Sequence, residues 1–307
     1  MSRLHNRKSF YIWICWSLSS FLCLSALLAG CAGIQMGGVG DVIGTAQKTK
    51  SAAETTQKVV KSFEEIPPED EHYLGRAVAA TIAGRYELYT DQQANAYINE
   101  LGQLLAQASD RPETYGGYHF QLLDSDEINA FAAPGGLILV TRGILRCAQH
   151  EDAVAAVLAH EIGHVQHKHG LKAIKKSRLT AVGTEVGLDV AGALTDNMLV
   201  QLAGVMEDAV SDVTVTLVTD GYSRKTEYEA DKAAVTTLKR VGYDPNGLVE
   251  MLKVMEEQLD PDGKDFAKTH PSPAKRIDKV QKIIGEYAEV KTSEKRQARF
   301  KKALGNI

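Results

Sequence analysis

The segment His160-Glu161-Ile162-Gly163-His164 ends a run of small and apolar residues, Ala153 to Ala159, that keeps helical spacing into it. A run of this kind predicts a helix, and a surface helix that happens to carry these residues is the alternative. On a helix, residues four apart lie one above the other on one face, so His160 and His164 can offer imidazole nitrogens to one metal ion. Glu161 is turned about 100° from His160, beside such an ion and not on it. A base must sit there to take a proton from water.

A catalytic zinc takes three protein ligands and keeps one position open. The stretch Tyr222 to Leu238 reads as a second helix, on which Glu227 and Asp231 are four apart and share a face. Glu227 is the expected third ligand. Asp231 is placed to accept a hydrogen bond from the outer nitrogen of a ligand histidine, which would fix its tautomer. Glu229 is the rival, but it projects roughly 200° away from Glu227, and both cannot face one ion.

With these residues, four further segments carry a family resemblance: Tyr73-Leu74-Gly75-Arg76, Asn129-Ala130-Phe131-Ala132-Ala133-Pro134-Gly135-Gly136, Ser223-Arg224, and His270-Pro271-Ser272-Pro273 with Arg276-Ile277. In this order the chain resembles the gluzincin metallopeptidases of family 48, the HtpX and BepA type, which also include the CAAX prenyl proteases. No departure occurs at the metal or base positions. The resemblance implies an α+β fold, mainly helical, with a small sheet beside the HExxH helix. It implies one Zn²⁺ per chain, with Glu161 as base in peptide hydrolysis. It also implies that His270 and Arg276 lie near the site, either as oxyanion donors or, for His270, as a fourth ligand that closes the site. In related zinc peptidases a strand beside the metal pairs with an extended substrate. Here that edge is expected around Asn129, Ala130, Phe131, Gly135 and Gly136. A chaperone or assembly role for outer-membrane proteins, with hydrolysis gated, is the alternative.

Residues 1–30 contain Arg3, Arg7 and Lys8, no acidic residue, and an apolar stretch from Phe10 to Leu28. This reads as a signal peptide. It ends Leu28-Ala29-Gly30-Cys31, which resembles a bacterial lipobox, so Cys31 is the expected lipidation site and membrane anchor; an uncleaved span is the alternative. Ala32 in place of aspartate suggests the periplasmic face of the outer membrane. Losing three basic residues and no acidic one takes the formal charge from −4 to −7, which does not suit a nucleic-acid partner. Cys147 would then be the one thiol left, without an internal disulfide and read as a small core residue.

Residues 31–66 are small, polar and Gly- then Ser/Thr/Lys-rich, and are expected to be the lipidated N-terminus and a tether. Residues 67–307 form the expected peptidase domain, opening with helices over 69–83 and 91–108. Strands are expected at 118–123 and 137–141, with a turn-rich connection from Asn129 to Gly136. Little chain follows His270–Pro273, and no tetratricopeptide module is expected there. His167 and His169 read as polar residues continuing the active-site helix to its end. The Gly-punctuated stretch 171–222 reads as a lid or a partner surface. Unfolded or misassembled envelope proteins are the expected substrates, with the outer-membrane assembly machinery as a possible partner.

Overall fold

The computed structural model describes residues 66–175, 210–258, 270, 273–288, 290 and 293–307. The expected signal peptide, Cys31, the tether and most of the 171–222 stretch therefore lie outside the described residues.

Helix α1 (Pro68–Ala83) starts with proline in its first turn, followed by Glu69, Asp70 and Glu71. Proline lacks only an amide that would be orphaned there, and the acids complement the helix dipole. Helix α2 (Gln92–Ala108) is capped by Asp91, whose Oδ1 accepts from the Ala94 amide at 2.8 Å. Strands β1 (His119–Leu123), β2 (Ala130–Ala133) and β3 (Leu137–Thr141) follow. They form one sheet in the order β1-β3-β2, with β1 parallel and β2 antiparallel to β3. The short helix α3 (Arg142–Arg146) leads into α4 (Glu151–Gln166), the helix that carries HEIGH. Beyond come α5 (Arg224–Val241), α6 (Asn246–Gln258), α7 (Pro273–Ile284) and α8 (Glu294–Leu304). The fold is α+β and mainly helical.

The connection from Asn129 to Gly136 contains a strand that the sequence did not suggest. Ala130-Phe131-Ala132-Ala133 shows no polar alternation because the sheet is covered on both faces. Phe120, Leu122, Ala130, Ala132, Ile138 and Val140 join the main core with α2, α4, α5 and α6. Leu123, Phe131, Ala133 and Leu139 alternate to the opposite face, where they pack with Leu74, Val78 and Ile82 of α1. Cys147 is buried, as a small core residue should be.

The N-terminus of α4 is clamped by charge. Glu151 and Asp152 are both fully buried. Glu151 accepts hydrogen bonds from Tyr97 (3.2 Å), Tyr243 (2.7 Å) and Arg299. Asp152 accepts from the Asp244 amide at 3.0 Å and from Arg296 at 3.2 Å. These contacts tie α8 and the start of α6 to the helix that bears the histidines. Among the described residues no helix is long and apolar enough to cross a membrane.

Candidate metal centre and active site

Helices α4 and α5 approach closely at Gly163, where a Cβ would stand 2.9 Å from the Ala230 carbonyl oxygen. Glycine here lets Glu227, in the first turn of α5, reach the two histidines. Ser223 starts α5 as its cap, with Oγ accepting from the Thr226 amide.

His160, His164 and Glu227 converge, all buried. The two Nε2 atoms are 3.0 Å apart, and each lies 3.5 Å from a Glu227 oxygen. Ligands held about 2 Å from a tetrahedral ion sit about 3.3 Å from one another, so the trio fits one zinc. His270 joins them, and the four ligand atoms lie within 4.8 Å of one another. Beside them, Glu161 is buried and neither of its oxygens has a hydrogen-bond partner. Burial therefore raises its carboxyl to about 7.

The outer nitrogens are held separately. His160 Nδ1 is 3.0 Å from Asp231 Oδ1. Burial and Arg276 oppose a charge on His160, yet hydrogen bonds to Asp231 and Glu227 lift it to about 9; a cation in the cluster must displace that proton. Burial and the neighbouring His160 hold His164 well below the usual range. Burial alone would raise Asp231, but Arg276 and His160 bring it down to about 2.

Arg276 is buried against the cluster, beside both His160 and Glu227. Its buried Nη2 lies 3.3 Å from Nδ1 and 3.5 Å from Nε2 of His160. The guanidinium reaches Asp231 Oδ2 (2.9 Å) and Oδ1 (2.6 Å) and Glu227 Oε2 (2.9 Å). Two buried carboxylates so close together need such a cation. His270 Nε2 is 3.8 Å from Glu161 Oε1, and its ring centroid is 5.4 Å from those of both His160 and His164.

The expected substrate residues divide. The β2–β3 register, with Thr141 N donating to Asn129 O, turns the backbone polar groups of Ala130 and Ala132 away from β3, toward the sheet edge. Phe131 and Asn129 are buried, Phe131 in the apolar core and Asn129 with Oδ1 accepting from the Ala130 amide. Gly135 and Gly136 are buried as well, which corrects the expectation that they face substrate. Both have positive φ, and the Gly135 amide donates to Glu71 Oε1 at 3.1 Å. Glu71 is in turn held by Arg111 at 2.8 and 2.9 Å. The glycines serve a tight turn that packs against α1.

Two residues at the site were missed from sequence. The α4 helix ends at Gln166, and Lys168 takes a left-handed φ of 53° before helix resumes at 169. The break swings His169 back onto His164, with the Nδ1 atoms 2.9 Å apart. His169 is buried, and burial brings it down to about 4. It is thus a buried group packed against His164, which corrects its reading as a polar residue that continues the helix to its end. Tyr222 stacks on His164 at 4.4 Å and 17°. Its place just before the α5 cap was the available signal.

Comparison with known proteins agrees with this geometry. The profile of peptidase family M48 matches residues 92–284, well over half of the chain. The chain belongs to peptidase family M48. Members of this family are zinc-dependent, and the buried His/Glu cluster can hold one metal ion. The chain is 30% identical over 212 residues to the beta-barrel assembly-enhancing protease of Escherichia coli, a match covering 67% of this chain and 42% of that protein. It is 35% identical over 165 residues to the mitochondrial metalloendopeptidase OMA1 of Schizosaccharomyces pombe, covering 53% of this chain and 45% of that protein. The chain thus spans a little under half the length of these curated relatives.

Proposed function

We propose that this M48 chain is a zinc-dependent endopeptidase that hydrolyses unfolded or misassembled proteins of the bacterial cell envelope. The observation that carries the reading is the buried trio His160, His164 and Glu227 at tetrahedral ligand spacing, with an unsatisfied Glu161 beside it. These three residues would hold the zinc. When bound, zinc polarises a scissile carbonyl and acidifies water. Glu161, raised to about 7 by burial, is poised to take a proton from the attacking water and pass it to the leaving amine. Asp231 and Arg276 act as positioning residues that hold His160 and Glu227.

The Ala130 carbonyl and the backbone polar groups of Ala132, turned away from β3 toward the sheet edge, support binding of an extended segment as an added strand. Such pairing tolerates many sequences but requires an unfolded partner. The lipobox-like end at Cys31 supports anchoring at the periplasmic face of the outer membrane, where barrel proteins and their assembly machinery are the natural clients. The name of the Escherichia coli relative points the same way.

His270 within ligand distance of the cluster favours a second reading of its role: it can occupy the fourth position and hold the enzyme closed. Chaperone-like binding would then dominate until the histidine leaves. Metal analysis of the purified full chain tests the site. One zinc per chain is expected, and it should be lost in Glu227→Ala. A variant that retains full zinc would reject Glu227 as a ligand.

A further inference from the structure

We propose that His169 and Glu229 form a two-link relay that fixes the tautomer and orientation of His164, and so sets the zinc affinity of the site. The proposal rests on the metal-centre reading above and adds two positioning residues to it. The argument is one of proton placement. His164 turns its Nε2 toward His160 and Glu227, so the lone pair on that nitrogen must stay available and its proton must sit on Nδ1. Among the described residues, that Nδ1 has one hydrogen-bonding neighbour, the Nδ1 of His169 at 2.9 Å. Two imidazole nitrogens at that distance share one hydrogen, so His169 accepts through Nδ1 and carries its own proton on Nε2. The Nε2 of His169 lies 3.2 Å from Glu229 Oε2, an acceptor. The protons are thus ordered from the carboxylate to the metal-facing nitrogen without a conflict.

The backbone is shaped for this contact. Had α4 continued, His169 would stand five residues past His164 and about 140° away around the helix. The left-handed turn at Lys168, uncommon for a residue with a side chain, replaces that geometry with a face-to-edge pair whose ring centroids are 4.9 Å apart. The two ligand histidines are consequently held by different devices. His160 leans directly on buried Asp231, which Arg276 pins. His164 leans on a second imidazole whose carboxylate is about one-third exposed, beside Lys172 and Lys225. Glu229, rejected as a ligand because of its direction, thereby acquires a role on the far side of the ligand shell.

The test is zinc affinity of the full chain, measured by competition with a chromophoric chelator, together with the visible absorption of the cobalt(II)-loaded protein. Outer-shell partners of ligand histidines typically contribute 10- to 100-fold in metal affinity. His169→Leu should weaken zinc by about that range and alter the cobalt spectrum. His169→Asn, whose side-chain oxygen can accept in place of Nδ1, should stay within about threefold of the wild type. Glu229→Ala, at the exposed end, should weaken zinc by a smaller factor, about threefold to tenfold. Wild-type affinity and spectrum in His169→Leu would overturn the relay. An Asn variant as weak as the Leu variant would also overturn it, because His169 would then matter only as a packed ring. Should His169→Leu fail to fold, Glu229→Ala decides, and wild-type affinity there refutes the relay. A wild-type protein that takes up no zinc refutes the metal centre itself, a result visible before any variant is made.

Discussion

Replacing Glu161 with glutamine should stabilise the metal-free protein, and the gain should depend on pH. Glu161 is fully buried, and both its oxygens lack a hydrogen-bond partner. Its carboxyl titrates near 7 in the folded protein against an ordinary 4.5. The folded state therefore holds the proton more tightly than the unfolded chain, so stability falls as pH rises from 4.5 to 7 and stays reduced above. Each unit is worth about 1.4 kcal/mol, which makes the cost of the ionised group about 3 kcal/mol at pH 8. Glutamine keeps the shape and does not titrate. Thermal unfolding of the chelator-treated full chain should show little pH-dependent difference between the two proteins near pH 4.5. By pH 8 the variant should have gained about 6–12 °C over the wild type, given the usual 2–4 °C per kcal/mol for a domain of this size. Hydrolysis should be lost in the same variant, the trade expected where a site is built for chemistry at the expense of stability. A Tm difference that is the same at both pH values would refute the reasoning, because it would mean that Glu161 ionises without cost.

Gly163→Ala should push α4 from α5, since its Cβ would meet the Ala230 carbonyl at 2.9 Å; a loss of about 1–3 kcal/mol in denaturant unfolding and weaker zinc binding are expected. Arg276→Gln leaves Asp231 and Glu227 buried without their cation and should cost about 3–5 kcal/mol in the same assay. Asp231, held at about 2 against an ordinary 3.8, contributes stability above pH 4 that is lost as pH falls toward 2. That part of the acid sensitivity should shrink in Arg276→Gln, where His160 alone still lowers Asp231, and an unchanged acid profile would argue against the Asp231–Arg276 pairing. Arg299→Ala removes a half-exposed partner of fully buried Glu151, so a loss of about 1–3 kcal/mol is expected, seen as a lower Tm.

Long periodic elements were legible in the sequence. Helices expected over 69–83 and 91–108 are Pro68–Ala83 and Gln92–Ala108. The strand expected at 137–141 spans those residues, and the one expected at 118–123 starts a residue later. The convergence of His160 and His164 follows from helical spacing alone, and that of Glu227 and Asp231 needs only a second helix. What escaped depended on tertiary surroundings. Strand β2 is buried on both faces, so its sequence lacks the alternation that marks a half-exposed strand. Gly135 and Gly136 were expected at the substrate edge, whereas α1 packs over Gly135 and residues Thr114, Gly117 and Tyr118 pack over Gly136. His169 was hidden by one residue, because nothing in a lysine announces a left-handed turn. Arg276 was placed near the site by resemblance, but its direction depends on two carboxylates carried by another helix.

The most direct test of the account is cleavage of casein, an unfolded protein, by the zinc-loaded full chain, run beside Glu161→Gln and a chelated sample. The account predicts fragments from the wild type alone, with cleavage restored to the chelated sample by added zinc. Equal cleavage by Glu161→Gln would contradict it, because the residue proposed to move the proton would then be dispensable.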